Sequence, residues 1–213
     1  MAGLSGLDGL IDIQPRIGKR VVQSFFNSSH HPILSEILLP DAASHDLALP
    51  VEQGAFRSLM GQFATGVCVV ATEGDGGKPM GITINSFVSV SLEPMLVCWS
   101  LHNSASLFDV WSKARSYSIS ILAEDQQAIA ARYATREIKG ESDGDFALGE
   151  SGMPHIADAL GYLECRPWKL VEAGDHTMIL GEVTGLYRHE FPGGVAGRPL
   201  LFFGSAFREI GDV

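Results

Sequence analysis

Between Gly81 and Pro94 the chain reads Gly-Ile-Thr-Ile-Asn-Ser-Phe-Val-Ser-Val-Ser-Leu-Glu-Pro, which sets Thr83, Asn85, Ser89 and Ser91 at alternate positions. A single strand over 81–90 puts these short polar groups on one face and Ile82, Ile84, Val88 and Val90 on the other. A polar row that faces water usually carries Lys, Glu or Arg, whereas this one carries hydroxyls and an amide alone. Such groups suit a ligand rich in donors and acceptors. By spacing alone, a solvated face and a binding wall both remain open. His176, after Gly174-Asp175, reads by itself as a surface or satisfied histidine in a turn.

Other strings with chemical overtones fail on context. Gly140-Glu141-Ser142-Asp143-Gly144 spells the nucleophile-elbow pattern, which needs a strand before the serine and a helix after it. Here a polar helix end precedes and Asp145-Phe146 follows, so we read a loop. Gly74, Gly76 and Gly77 precede Lys78, but Pro79 stands where a phosphate-binding loop needs Ser or Thr. Asp143 and Asp145 read as a solvated acidic loop rather than a carboxylate pair. Cys68, Cys98 and Cys165 are odd in number and scattered through apolar surroundings, so they read as buried small side chains. No metal site is expected.

The elements that must position the candidates follow from periodicity. Phe56, Leu59, Met60 and Phe63 recur at helical steps, with the helix stopping near Thr65-Gly66 as a cap. Strands are expected at Val67–Thr72, Gly81–Val90, Met95–Ser100, Ser116–Leu122, Gly161–Val171, Thr177–Arg188 and Leu200–Phe207. Helices are expected at Ser104–Trp111 and Glu124–Arg136, and a short one near Ile17–Phe26. Strands and helices do not alternate regularly, so the fold class is mainly β with inserted helices, not a doubly wound parallel sheet. Residues 1–50, with Pro15, Pro32, Pro40 and Pro50 and no sustained period, form an irregular N-terminal extension. Residues 51–213 form the domain. Trp99, Trp111 and Trp168 read as core, Phe202, Phe203 and Phe207 as core or dimer contacts, and Arg132 and Tyr133 as a solvated helix face.

Composition bounds the partners. In 213 residues, 46% are hydrophobic and 19% charged, which excludes a disordered chain. A formal charge of −10 argues against a nucleic-acid coat. Charge-free stretches are too short and too polar for a membrane helix, and the N-terminus lacks the basic start and apolar run of a secretory signal. A cytoplasmic protein is expected, in which the Asn27-Ser28-Ser29 glycosylation string carries no meaning.

Several of these segments together resemble the flavin reductase-like family, the short-chain NAD(P)H:flavin oxidoreductases that serve two-component monooxygenases. They are Phe56-Arg57 through Thr65-Gly66-Val67, Gly81 through Phe87 with Ser89 through Pro94, Leu122 through Gln126, Gly174 through Thr177, Gly181-Glu182-Val183 and Gly197 through Phe203. The resemblance covers about residues 52–210, in the family's order. It implies an FMN-binding split β-barrel of Greek-key type, homodimeric, with the flavin near the subunit interface. It implies that Thr83, Asn85 and Ser86 line the isoalloxazine and ribityl chain, with Ser89, Val90 and Ser91 nearby and the Thr65-Gly66 backbone in close approach. The turn Ser100–Ser106 matches the family's phosphate-contacting stretch, where Ser104, Ser106 and backbone amides hold the flavin phosphate. The family often has a basic residue in that turn, and Leu101-His102-Asn103 stands in its place. His176 matches the histidine associated with nicotinamide binding. The implied activity is hydride transfer from NADH or NADPH to N5 of FMN or FAD, with reduced flavin released to a partner monooxygenase. A flavin-binding protein of the same fold that retains FMN, either without NAD(P)H turnover or reducing a small organic substrate itself, is the alternative.

Overall fold

Five successive residues without charge, Cys68–Thr72, suit burial on both faces of a strand. In the computed structural model they form most of strand β2 (Cys68–Glu73), where every residue but the last is buried. The structure describes residues 46–134, 144–191 and 197–211, and the elements that follow belong to the unit Ala48–Val213. The expected helix at 17–26, the glycosylation string, the serine of the elbow string and Asp143 lie outside the described residues.

Helix α1 (Gln53–Met60) comes first and buries none of its residues. Its apolar face is nevertheless real, with Phe56 66%, Leu59 58% and Met60 46% exposed, followed by Phe63 at 67%. The helix ends at Gly61, whose N–H bonds Arg57 O. Thr65-Gly66 is therefore not the cap read from sequence. It forms the two-residue strand β1 (Thr65–Gly66), paired with Phe202 and Leu201.

After β2 come β3 (Pro79–Ile84), β4 (Val88–Leu92) and β5 (Met95–His102). The continuous strand expected over 81–90 is thus two strands broken at Asn85-Ser86-Phe87. A register shift between Ser89 and Ser91 breaks the alternation again, so Val88 and Val90 are exposed rather than in the core. Helix α2 (Phe108–Lys113) is shorter and later than expected. Strand β6 (Tyr117–Ile121) leads to a single 3-10 turn at Glu124–Gln126 and helix α3 (Gln127–Tyr133). Short strands β7 (Phe146–Leu148) and β8 (Pro154–Ile156) pair with each other. The long strands β9 (Gly161–Ala173) and β10 (His176–Arg188) form a hairpin, and β11 (Leu201–Phe203) and β12 (Ala206–Arg208) split the single strand expected over 200–207.

The main sheet has seven strands in the order β3-β2-β6-β9-β10-β5-β4. Every ladder between described strands is antiparallel, which agrees with the mainly β class. Among the described residues the outer strands β3 and β4 do not pair, so hydrogen bonds do not close the sheet into a barrel.

Two apolar clusters fill the interior. One gathers Trp99, Trp111, Tyr117, Ile119 and Ile179, the other Val67, Val69, Leu122, Tyr133, Ile156 and Leu200. All three cysteines are buried and free, as expected, and burial raises the thiol pKa of each, for Cys68 and Cys165 to about 12. Trp168 is 53% exposed and is not core. Among the described residues, no helix is long and apolar enough to cross a membrane.

Candidate functional site

The break between β3 and β4 and the end of β5 face each other across a cleft of about 330 Å³. Its lining brings together Thr83, Asn85, Ser86, Ser100, Ser106 and His176, residues that lie up to 93 positions apart in sequence (176 − 83). Each core cluster contributes one aromatic wall, Trp111 from the first and Tyr133 from the second. The floor is apolar, with Ile82, Leu101, Ala105 and Leu107 among the lining residues. An apolar slot with a few convergent polar groups is the ordinary build of a small-molecule site.

Hydrogen bonds fix the polar rim. Ser86 Oγ accepts from the Ser100 N–H at 3.0 Å and donates to Ser100 O at 3.4 Å, tying the β3–β4 break to β5. Thr83 donates its hydroxyl to Ala130 O at 2.8 Å, so its proton is committed to α3. Tyr133 donates to Asp145 at 3.0 Å, and Arg132 pairs with the same carboxylate. Asp145 is therefore a structural anchor for α3 and not a solvated loop residue. Tyr133 is buried and departs from the solvated face expected of it, whereas Arg132 remains exposed.

The far rim is the tip of the β9–β10 hairpin. Ala173 pairs with His176 across Gly174-Asp175, and Gly174 has φ +66, the positive value that the first central residue of a type II′ turn requires. Asp175 Oδ1 lies 2.7 Å from His176 Nδ1, and this hydrogen bond first, then the charge of His176 and His102, holds the Asp175 carboxyl below its usual range. The bond places the His176 proton on Nδ1 and leaves Nε2 free of that partner. His102, opposite His176 in the β5–β10 ladder, meets it edge to face at 4.9 Å. Thr177 donates to Asn103 Oδ1 at 2.7 Å and the Asn103 N–H bonds Asp175 O at 2.9 Å, clamping the end of β5 to the turn.

The remaining expected residues lie elsewhere. Ser104 does not line the cleft itself, but its N–H and hydroxyl both meet His102 Nδ1. Thr65 belongs to a second, more apolar depression of about 600 Å³, lined also by Phe56, Met60, Phe63, Phe87 and Phe202, which shares Asn85 and Ser86 with the first. Its Oγ1 is buried with no hydrogen-bond partner. Gly66 neighbours it on β1, while Ser89, Val90 and Ser91 sit on β4 and line neither. The sequence reads Trp111 as core and Tyr133 as part of a solvated helix face, and the structure sets both in the cleft lining as its aromatic walls. Among the described residues there is no cluster of His, Cys, Asp and Glu able to hold a metal.

The donor set is neutral and short, and the apolar walls suit a planar heteroaromatic ring with a polar tail. Comparison with known proteins agrees with that shape. The model of the family described as flavin reductase like domain matches residues 60–211. An FMN reductase (NADH), SmoA, from Agrobacterium fabrum is 42% identical over 154 residues, covering 72% of this chain and 83% of the relative. The structure of a Streptomyces globisporus NADH:FAD oxidoreductase in complex with NAD and FAD fragments superposes with TM-score 0.69 at 35% identity, over 78% of this chain and 98% of that one. The styrene monooxygenase flavin reductase from Pseudomonas putida superposes with TM-score 0.65 at 29% identity, over 74% and 99%.

Proposed function

This chain belongs to the flavin reductase like domain family, and from that premise we propose that it moves hydride from a reduced nicotinamide nucleotide to FMN or FAD. The observation that carries the proposal is the single cleft that gathers Thr83, Asn85, Ser86, Ser100, Ser106 and His176 between two aromatic walls. The flavin, when bound, supplies the electrophilic ring that takes the hydride. The protein's tasks are to orient two flat rings, exclude water and meet developing charge with fixed dipoles.

Trp111, Leu107 and Tyr133 supply the apolar contact that stacking needs. The Asn85 amide, exposed at the β3–β4 break, offers donors to a ring that gains negative charge on reduction. Ser100, Ser106 and the N–H groups of their turn face the polar tail. His176, held by Asp175 through Nδ1, lines the cleft and orients the nicotinamide. Thr65, Gly66, Ser89, Val90 and Ser91 reach the flavin from the neighbouring depression and β4. No nucleophile or general base is required.

The same reading makes residues 51–213 one split-barrel domain that acts as a homodimer in the cytoplasm. The exposed Phe56, Leu59, Met60 and Phe63 beside Val88, Val90, Leu92 and Met95 form the kind of apolar surface that a second copy covers. Reduced flavin passes to a monooxygenase component, the relation stated in the name of the styrene monooxygenase relative.

The test is nicotinamide oxidation at 340 nm with NADH or NADPH and increasing FMN or FAD, alongside a spectrum of the purified protein and light scattering for its mass. Flavin-saturable turnover by a colourless dimer supports a diffusible-flavin reductase. Absence of turnover with every pair overturns it, and a firmly held flavin not bleached by NAD(P)H replaces it with the flavin-retaining alternative.

A further inference from the structure

His102 sits in the turn after β5 that the proposed reading assigns to the flavin's polar tail, and it lines the cleft. Its Nδ1 lies 3.0 Å from the Ser104 backbone N and 2.9 Å from Ser104 Oγ. A backbone N–H only donates, so Nδ1 must be the acceptor and carry no proton. The proton of the neutral ring is then on Nε2, which faces Asp175 Oδ2 at 3.7 Å. In this state His102 engages both polar groups of Ser104, the N–H and the hydroxyl. With His176 also neutral, the group His102–Asp175–His176 carries a formal charge of −1 at the edge of the cleft.

Protonation reverses each of these conditions. Nδ1 gains a hydrogen, can no longer accept from the Ser104 N–H, and can donate to Ser104 Oγ instead. The backbone N–H is released as a donor, and the formal charge of the group rises by one unit. Both changes favour a phosphate, because it is recognised by N–H donors and is repelled by net negative charge.

We propose that His102 is a proton-linked positioning residue for the flavin phosphate: neutral, it occupies Ser104 and leaves the group at −1, which repels the anion; protonated, it frees the Ser104 N–H and cancels that repulsion. The inference rests on the reading of the cleft as a flavin site and adds to it the residue that sets phosphate affinity. The groups that face His102 are Asp175 and His176 from the hairpin tip and Ser104 from its own turn. Tyr133, from α3, lines the same cleft but turns its hydroxyl away to Asp145. The sign follows from linkage: the bound phosphate favours protonated His102, so affinity is greatest at low pH and falls as pH rises.

The experiment is equilibrium titration of the full chain with FMN, FAD and riboflavin, followed by flavin fluorescence, from about pH 6 to about pH 8.5. FAD affinity is expected to fall with pH, by up to about tenfold per unit where one proton is taken up, while riboflavin, which has no phosphate, shows no such fall. FMN follows FAD less steeply, because its own phosphate gains charge above about pH 6 and opposes the trend. His102→Asn keeps an acceptor for the Ser104 N–H but cannot take the proton, so it binds FAD weakly with a flat profile. His102→Arg carries a permanent charge and binds FAD tightly with a flat profile, and His176→Asn keeps the slope. A slope shared by FAD and riboflavin, or one that survives in both His102 variants, overturns the proposal while leaving the flavin site standing. Failure of every flavin to bind at any pH overturns the flavin reading and this inference with it.

Discussion

Gly181 sits in β10 against the most tightly packed part of the core, and Gly181→Ala tests whether that packing holds the cleft wall in place. A methyl there would overlap Tyr117 Oη and lie 3.0 Å from Tyr117 Cζ and 3.3 Å from Cys165 Cβ. Neither neighbour has room to retreat, since Tyr117 is 0% and Cys165 1% exposed. Tyr117 meets Trp99 edge to face at 5.8 Å, and Trp99 meets Trp111 in the same way at 6.0 Å. Overpacking of this kind costs about 2–3 kcal/mol, equivalent to a fall in Tm of about 4–12 °C for a chain of this size. Tyr117 Oη makes no hydrogen bond of normal geometry, although the Trp99 indole N–H beside it partly offsets the burial that raises its pKa, so Tyr117→Phe alone should change stability by no more than about 1 kcal/mol. In the Tyr117→Phe background the collision with oxygen is gone, and Gly181→Ala should recover about 1–2 kcal/mol of its cost as coupling. Because the ring row ends at Trp111 in the cleft wall, the flavin KM should rise in the single variant and return in the double. Urea unfolding of the four proteins, with KM for FMN measured on each, closes the cycle. Additivity of the two substitutions within about 0.5 kcal/mol would refute the steric argument.

Three further outcomes are expected. His155 stacks on Tyr162 at 3.8 Å with its Nδ1 buried and unpartnered, and burial lowers its pKa from 6.5; the unfolded chain therefore binds more protons just below that value, and stability rises with pH through the window. His155→Phe should keep the stack, flatten the Tm profile between about pH 5 and 7, and add about 1 kcal/mol at its acid end. The depressed carboxyl of Asp175 contributes above its unfolded value of 3.8 and loses that contribution as pH falls through its folded one. Asp175→Asn should raise the nicotinamide KM near neutral pH, and any Tm difference from the parent should shrink as pH falls below 3.8. Ser86→Ala removes the hydroxyl that bridges to Ser100 and should lower Tm by about 2–4 °C and raise the flavin KM, both read in one thermal-shift and assay series.

The buried strands were legible because their composition is unambiguous, as in the run from Cys68 to Thr72. The polar row beginning at Thr83 was legible as chemistry but not as geometry. Its alternation predicts one strand, yet the chain breaks at Asn85-Ser86-Phe87, where no Gly or Pro marks a turn and the Ser86 hydroxyl replaces a missing ladder bond. At the C-terminus the signal was present, since Gly204 with φ +59 separates β11 from β12. The α1 period was read correctly as far as Met60, with Phe63 beyond the helix end, but periodicity cannot say what covers an apolar face. Strands β7 and β8, three residues each, are too short for any period to register. The ion pair of Arg132 with Asp145 depends on a contact between segments that no local pattern encodes.

The β5–β10 ladder sets His102 opposite His176 and continues in unbroken register through Glu182 and Leu96. Insertion of one residue within either strand would slide every later pair and turn each following side chain to the opposite face. Chain length between Leu96 and His102, and between His176 and Glu182, is thus fixed by the meeting of two rings. Reshaping this cleft without disturbing the ladder therefore calls for exchange of side chains there, with changes of length placed in the connections beyond the paired stretch.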